Sequence, residues 1–67
     1  MKKAVVTWFN KMKNYGEAKL ADGTVVFITG EVFPKGKLPE NGDSIQIIVK
    51  RGVVFQKEGF FATKAKI

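Results

Sequence analysis

The chain has 67 residues and a mass of 7.4 kDa, with 12 Lys and Arg against 6 Asp and Glu and neither Cys nor His. A domain this small buries about 60% of the surface of its unfolded chain, so residues 1–67 form one marginally stable unit without room for a deep pocket of its own. There is no disulfide framework, no thiolate or imidazole metal ligand, and no imidazole to activate the only serine, Ser44, so no enzyme, cofactor or metal centre is expected.

A net charge of +6 and a pI near 9.9 favour polyanionic partners, nucleic acid or an anionic membrane surface, over a merely soluble basic protein. No apolar run approaches the roughly 20 residues that a membrane span needs. The apolar stretch after Met1-Lys2-Lys3 is too short for a signal-peptide core. The expectation is a cytoplasmic protein with no membrane contact and no small-molecule substrate.

Glycines punctuate the chain at short intervals, and the stretches between them are rich in Val, Ile, Phe and Thr, the pattern of short strands joined by tight turns. The first strand is expected over Lys3 to Asn10, the second over Tyr15 to Leu20 and the third over Thr24 to Thr29. The intervening Ala21-Asp22-Gly23 suits a three-residue hairpin loop with Gly23 in the left-handed position. That loop sets Ala18 opposite Val26 and Gly16 opposite Ile28 on one small or apolar face. On the other face it sets Glu17 opposite Phe27 and Tyr15 opposite Thr29. Glu31 to Asp43, with Pro34, Gly36, Pro39 and Gly42, reads as a long loop holding at most one helical turn. The fourth strand, Ser44 to Lys50, points Ile45, Ile47 and Val49 one way and Gln46, Ile48 and Lys50 the other. After Gly52 a short continuation over Val53 to Gln56 precedes a turn at Lys57-Glu58-Gly59 and a last strand, Phe60 to Ile67. Five strands with one excursion after the third fit an all-β, closed five-stranded antiparallel barrel.

The outward face of the second and third strands carries Tyr15, Glu17, Lys19, Phe27 and Thr29, with Trp8 and Phe9 at the end of the first strand and Lys11 and Lys13 in the loop that follows. Exposed rings interleaved with lysines suit unpaired bases, since rings stack on bases and ammonium groups neutralise phosphates without reading sequence. Strict alternation along the first strand instead puts Trp8 on the face of Ala4 and Val6, in the core, and periodicity alone leaves both placements open. An SH3-like basic barrel is the architecture that seats Trp8 inside.

Val6-Thr7-Trp8-Phe9-Asn10 resembles the opening strand of the cold-shock domain, whose pattern is Val-Lys-Trp-Phe-Asn. Lys13-Asn14-Tyr15-Gly16 falls at the spacing of that family's first ribonucleoprotein motif, Lys-Gly-Phe-Gly-Phe-Ile. Val26-Phe27-Ile28 stands where the second, Val-Phe-Val-His-Phe, begins, and Asn41-Gly42-Asp43-Ser44-Ile45 is similar to the Glu-Gly-Gln-x-Val entry to the fourth strand. The resemblance covers nearly the whole chain. It implies an oligonucleotide-binding (OB-fold) barrel that holds single-stranded RNA or DNA and acts as a weak, low-specificity nucleic-acid chaperone. Trp8, Tyr15 and Phe27 are then base-stacking residues on the binding face, Phe9 a partial member of the platform and Lys13 a phosphate contact.

The departures are as informative. Thr7 replaces a lysine, Glu17 stands where the first motif has its second aromatic, Thr29 where the second has histidine, and Gly30 where it has phenylalanine. Three missing stacking partners at roughly 1–3 kcal/mol each remove roughly 3–9 kcal/mol if additive, and the Glu17 carboxylate repels phosphate. From Lys50 onward, Lys50, Arg51, Lys57, Lys64 and Lys66 face Glu58 alone, and alternation turns one of Phe60 and Phe61 outward. That ring and those cations either extend the binding surface or form a packed ring and a solvated edge. A barrel that has exchanged nucleic acid for an acidic protein partner is the alternative that the missing platform positions favour.

Overall fold

Apolar residues at every second position, interrupted by turn residues, produce five strands: β1 Lys2–Asn10, β2 Tyr15–Leu20, β3 Val25–Thr29, β4 Ser44–Val54 and β5 Lys57–Lys66. A single 3-10 turn, Gly30–Val32, begins the long connection between β3 and β4. The computed structural model describes residues 1–67 throughout. The strands hydrogen-bond in the order β1-β2-β3-β5-β4, and β4 pairs back onto β1, so the sheet closes in a ring. The all-β expectation holds, but the sheet is mixed and not antiparallel throughout: β3 and β5 run parallel, with Val26 beside Phe60 and Phe27 beside Phe61. Parity requires this, because a ring of alternating directions needs an even number of strands and five leave one parallel seam.

Ala4, Val6, Ala18, Val26, Ile28, Ile45, Ile47, Ala62 and Ala65 fill the interior, and Phe33 from the long connection joins them. Each fully buried Ile or Val contributes about 1.5–3 kcal/mol relative to exposure. Alanines on four of the inner positions, with Gly16 buried among them, let five strands close around so few side chains. No helix is long and apolar enough to cross a membrane.

The β2–β3 hairpin has the register expected from its loop, with Tyr15 opposite Thr29, Glu17 opposite Phe27 and Ala18 opposite Val26. Gly23 takes a φ of +90°, Leu20 donates to the Thr24 carbonyl at 2.9 Å, and Asp22 Oδ1 accepts the Thr24 N–H at 2.9 Å. Those two turn contacts fix the loop length and hence the register.

β1 is less regular. Val6 pairs with Ala18 but Trp8 pairs with Glu17, so Thr7 is an extra residue, a β-bulge. The extra residue reverses the parity of the strand: Ala4 and Val6 point inward, Trp8 turns out, and Phe9 turns back toward the core. The chain just before β4 holds this irregular stretch. Gly42 donates to the Val6 carbonyl, Val6 donates to that of Asp43, and Asn41 Oδ1 accepts the Phe9 N–H at 3.0 Å.

The expected turn at Lys57-Glu58-Gly59 is not where the last hairpin turns. β4 continues without a break through Gly52 to Val54, and the reversal falls on Phe55-Gln56, with Val54 opposite Lys57. Both turn residues take positive φ, +50° and +65°, as a two-residue hairpin loop that matches strand twist demands. Neither is a glycine, and a bulky residue in that region is strained. The sequence therefore carries no ordinary signal for this turn.

Candidate nucleic-acid interface

The registers place one residue from every strand in a single row around the outer wall: Trp8 opposite Glu17, Glu17 opposite Phe27, Phe27 beside Phe61, and Phe61 opposite Lys50. Paired residues share a face, so this row sets three rings, Trp8, Phe27 and Phe61, among two charges, Glu17 and Lys50. Tyr15 lies one step along β2 and meets both flanking rings, with its centroid 5.6 Å from Trp8 and 5.7 Å from Phe27, each edge-to-face. The bulge at Thr7 resolves the two placements of Trp8: the residue is 38% exposed, on the outer face.

A fourth ring completes the cluster. Phe55 curls back from the β4–β5 turn to sit 4.9 Å from Phe27 and 5.8 Å from Tyr15, again edge-to-face, while remaining 69% exposed. These contacts, at about 0.5–1.5 kcal/mol per pair, offset the strain of its positive φ. Between the curled hairpin and β3 lies an open cleft of about 300 Å³, walled by Phe27, Val53, Val54, Phe55, Phe61 and Ala62 with Thr29 as its one polar residue. Phe55 was not among the residues singled out by sequence. A ring between the cations Arg51 and Lys57 was the signal available.

Glu17 lies within the platform. Trp8 donates its indole N–H to Glu17 Oε1 at 3.1 Å, and Thr7 Oγ1 donates to the Glu17 carbonyl at 3.1 Å. The carboxylate thus fixes the indole, and no cation is paired with it: the ion pairs are Lys11 with Glu40 and Arg51 with Glu58. Gly30, at the other departure, is required by the loop before β2. Asn14 takes a φ of +64° and its carbonyl accepts the Gly30 N–H at 3.0 Å. A Cβ at Gly30 would run into the Asn14 side chain and approach Leu38 Cδ2 at 2.9 Å.

The remaining sequence-derived residues divide clearly. Lys13 is exposed in the loop leading to Tyr15, its N–H bonded to Asn10 Oδ1 at 3.0 Å. Lys19 is exposed on the outer face of β2, one row beyond Glu17 and between Val5 and Val25. Lys11 reaches Glu40 at 4.0 Å. Phe9 does not join the platform: it packs against the core with its ring edge-on to Phe33 at 6.3 Å. Of the β5 pair, Phe61 joins the platform row, whereas Phe60, beside the inward-facing Val26, lies on the opposite face. Lys50, next to Phe61, is a cation at the platform that sequence reasoning named only as part of a basic segment.

No protein-family model matches the chain, and no curated protein matches it significantly.

Proposed function

We propose that this protein is a single-stranded nucleic-acid-binding module of the cold-shock type, an OB-fold barrel acting as a weak nucleic-acid chaperone in the cytoplasm. The observation that carries this reading is the continuous cluster of Trp8, Tyr15, Phe27 and Phe55 on one outer face, ringed by exposed lysines. Five-stranded barrels of the OB type bind oligonucleotides on the face of their second and third strands and on the loops joining strands one to two and four to five. Here β2 and β3 carry Tyr15 and Phe27, the first loop carries Lys11 and Lys13, and the last turn carries Phe55.

Successive bases stack on the rings at about 1–3 kcal/mol each, while Lys13, Lys50 and Lys19 neutralise the backbone. Phe55 stands in for stacking partners that Glu17, Thr29 and Gly30 remove. No bond is made or broken. By covering unpaired bases the module opposes misfolded hairpins. The sole tryptophan lies in the platform, so its emission reports binding directly. Titration with heptathymidylate at low salt is expected to quench Trp8, with the logarithm of the binding constant falling linearly in log salt. Unaltered emission up to high micromolar oligonucleotide overturns the reading and favours an acidic protein partner.

A further inference from the structure

Within the cluster, Glu17 is out of place for a surface that only neutralises phosphate and stacks bases. Its carboxylate sits in the row between Trp8 and Phe27, half-buried, with no lysine or arginine paired to it. One oxygen, Oε1, accepts the indole N–H at 3.1 Å, so the group is held in a fixed orientation beside the rings. A carboxylate offers about four lone-pair sites and no donor, so the indole leaves most of its accepting capacity free. A base stacked on Trp8 or Phe27 lies with its ring parallel to theirs and its edge directed sideways, toward the residue between them.

We propose that Glu17 reads the edge of a stacked base and makes the platform prefer guanine over thymine or uracil. The inference rests on the base-stacking role proposed above and adds the identity of the base. The chemistry is specific. Guanine presents its N1–H and its 2-amino group side by side, two parallel donors that match the two oxygens of a carboxylate. Thymine and uracil present a single N3–H flanked by two carbonyl oxygens, which repel the carboxylate. Cytosine and adenine offer one amino donor beside a ring nitrogen acceptor, and so rank between. A bidentate contact of this kind discriminates strongly because the wrong base leaves the carboxylate desolvated and unpaired. The negative charge that weakens general phosphate binding thereby becomes the source of selectivity.

The test compares heptathymidylate with the same oligomer carrying one central guanine, read by Trp8 emission at fixed low salt. The guanine oligomer is expected to bind about tenfold more tightly, within the range of a bidentate base contact. Replacing that guanine by inosine, which lacks the 2-amino group, removes most of the gain in the unmodified protein. In Glu17→Gln the amide oxygen can still accept the indole N–H, but the NH2 beside it is a donor and no longer offers guanine a second acceptor, so the preference disappears while heptathymidylate, freed of the repelling charge, binds more tightly. Equal affinity for the two oligomers, or a preference that survives inosine or Glu17→Gln, overturns the edge-reading role and leaves the platform intact. Absence of binding by either oligomer overturns both.

Discussion

The β2–β3 hairpin reverses through Ala21-Asp22-Gly23, with Gly23 at φ +90°, whereas the β4–β5 hairpin reverses through Phe55-Gln56, at φ +50° and +65°. In the first, the residue that needs positive φ is the one that adopts it without cost, and the turn alone sets the register of the strands. In the second, local preference is overridden: the strained Phe55 is held by two rings on other strands, Tyr15 and Phe27. The difference teaches that tertiary contacts, where they are strong enough, choose the turn, and that such a turn belongs with the site it serves.

The comparison can be broken at the strained turn first. Phe55→Ala keeps the positive φ and removes both ring contacts, so oligonucleotide affinity is expected to fall by about 1–3 kcal/mol, with further loss of stability from the two aromatic pairs. Calorimetric binding and urea unfolding on one sample measure both, and unchanged affinity would remove Phe55 from the platform. The regular hairpin is most vulnerable where β1 crosses it: a Cβ at Gly16 meets the Trp8 carbonyl and lies 2.7 Å from Phe9 Cα. Gly16→Ala is expected to cost roughly 1–3 kcal/mol, visible as a lower urea midpoint.

The two turns then diverge in sign. Gly23→Ala meets nothing within 4 Å, so its expected loss of about 1–2 kcal/mol is purely conformational. Gln56→Gly relieves the same kind of strain and is expected to raise stability by up to about 1 kcal/mol, the greater flexibility of glycine in the unfolded chain offsetting the rest. Two substitutions of equal sign would erase the distinction. The smallest effect concerns Asp22, whose carboxyl is held below its ordinary pKa of 3.8, first by the Thr24 hydroxyl and then by the Thr24 N–H. A carboxylate depressed on folding stabilises above its ordinary pKa, and that contribution is lost as pH falls through the lowered value. Asp22→Asn should therefore flatten the acid limb of the stability profile slightly.

Much of this was legible in the residues. Alternation in Ser44 to Lys50 and in the β2–β3 pair marked the inner wall, because small or apolar inward residues recur at every second position of a strand. Gly23 marked its own turn. The bulge at Thr7 was not legible from periodicity, since one extra residue reverses parity without changing composition; only the resemblance in Trp8-Phe9-Asn10 pointed Trp8 outward, and the same bulge takes Phe9 off the platform. The Phe55-Gln56 reversal lacked any turn residue while Lys57-Glu58-Gly59 offered one, so local chemistry pointed to the wrong place by two residues. The part of the site that depends on it, Phe55 and its cleft, was hidden for the same reason. Glu17 was visible as a departure, but its bond to the Trp8 indole depends on register and bulge together.

The central claim is that the four-ring face is where unpaired bases lie. Amide and aromatic NMR spectra recorded during addition of heptathymidylate test it residue by residue. The largest shifts are expected at the Trp8 indole, Tyr15, Phe27 and Phe55, with smaller ones at Lys13, Lys50 and Phe61. Shifts confined to the far side of the ring, around Met1, Lys64 and Lys66, with the four aromatic rings unmoved, would contradict it.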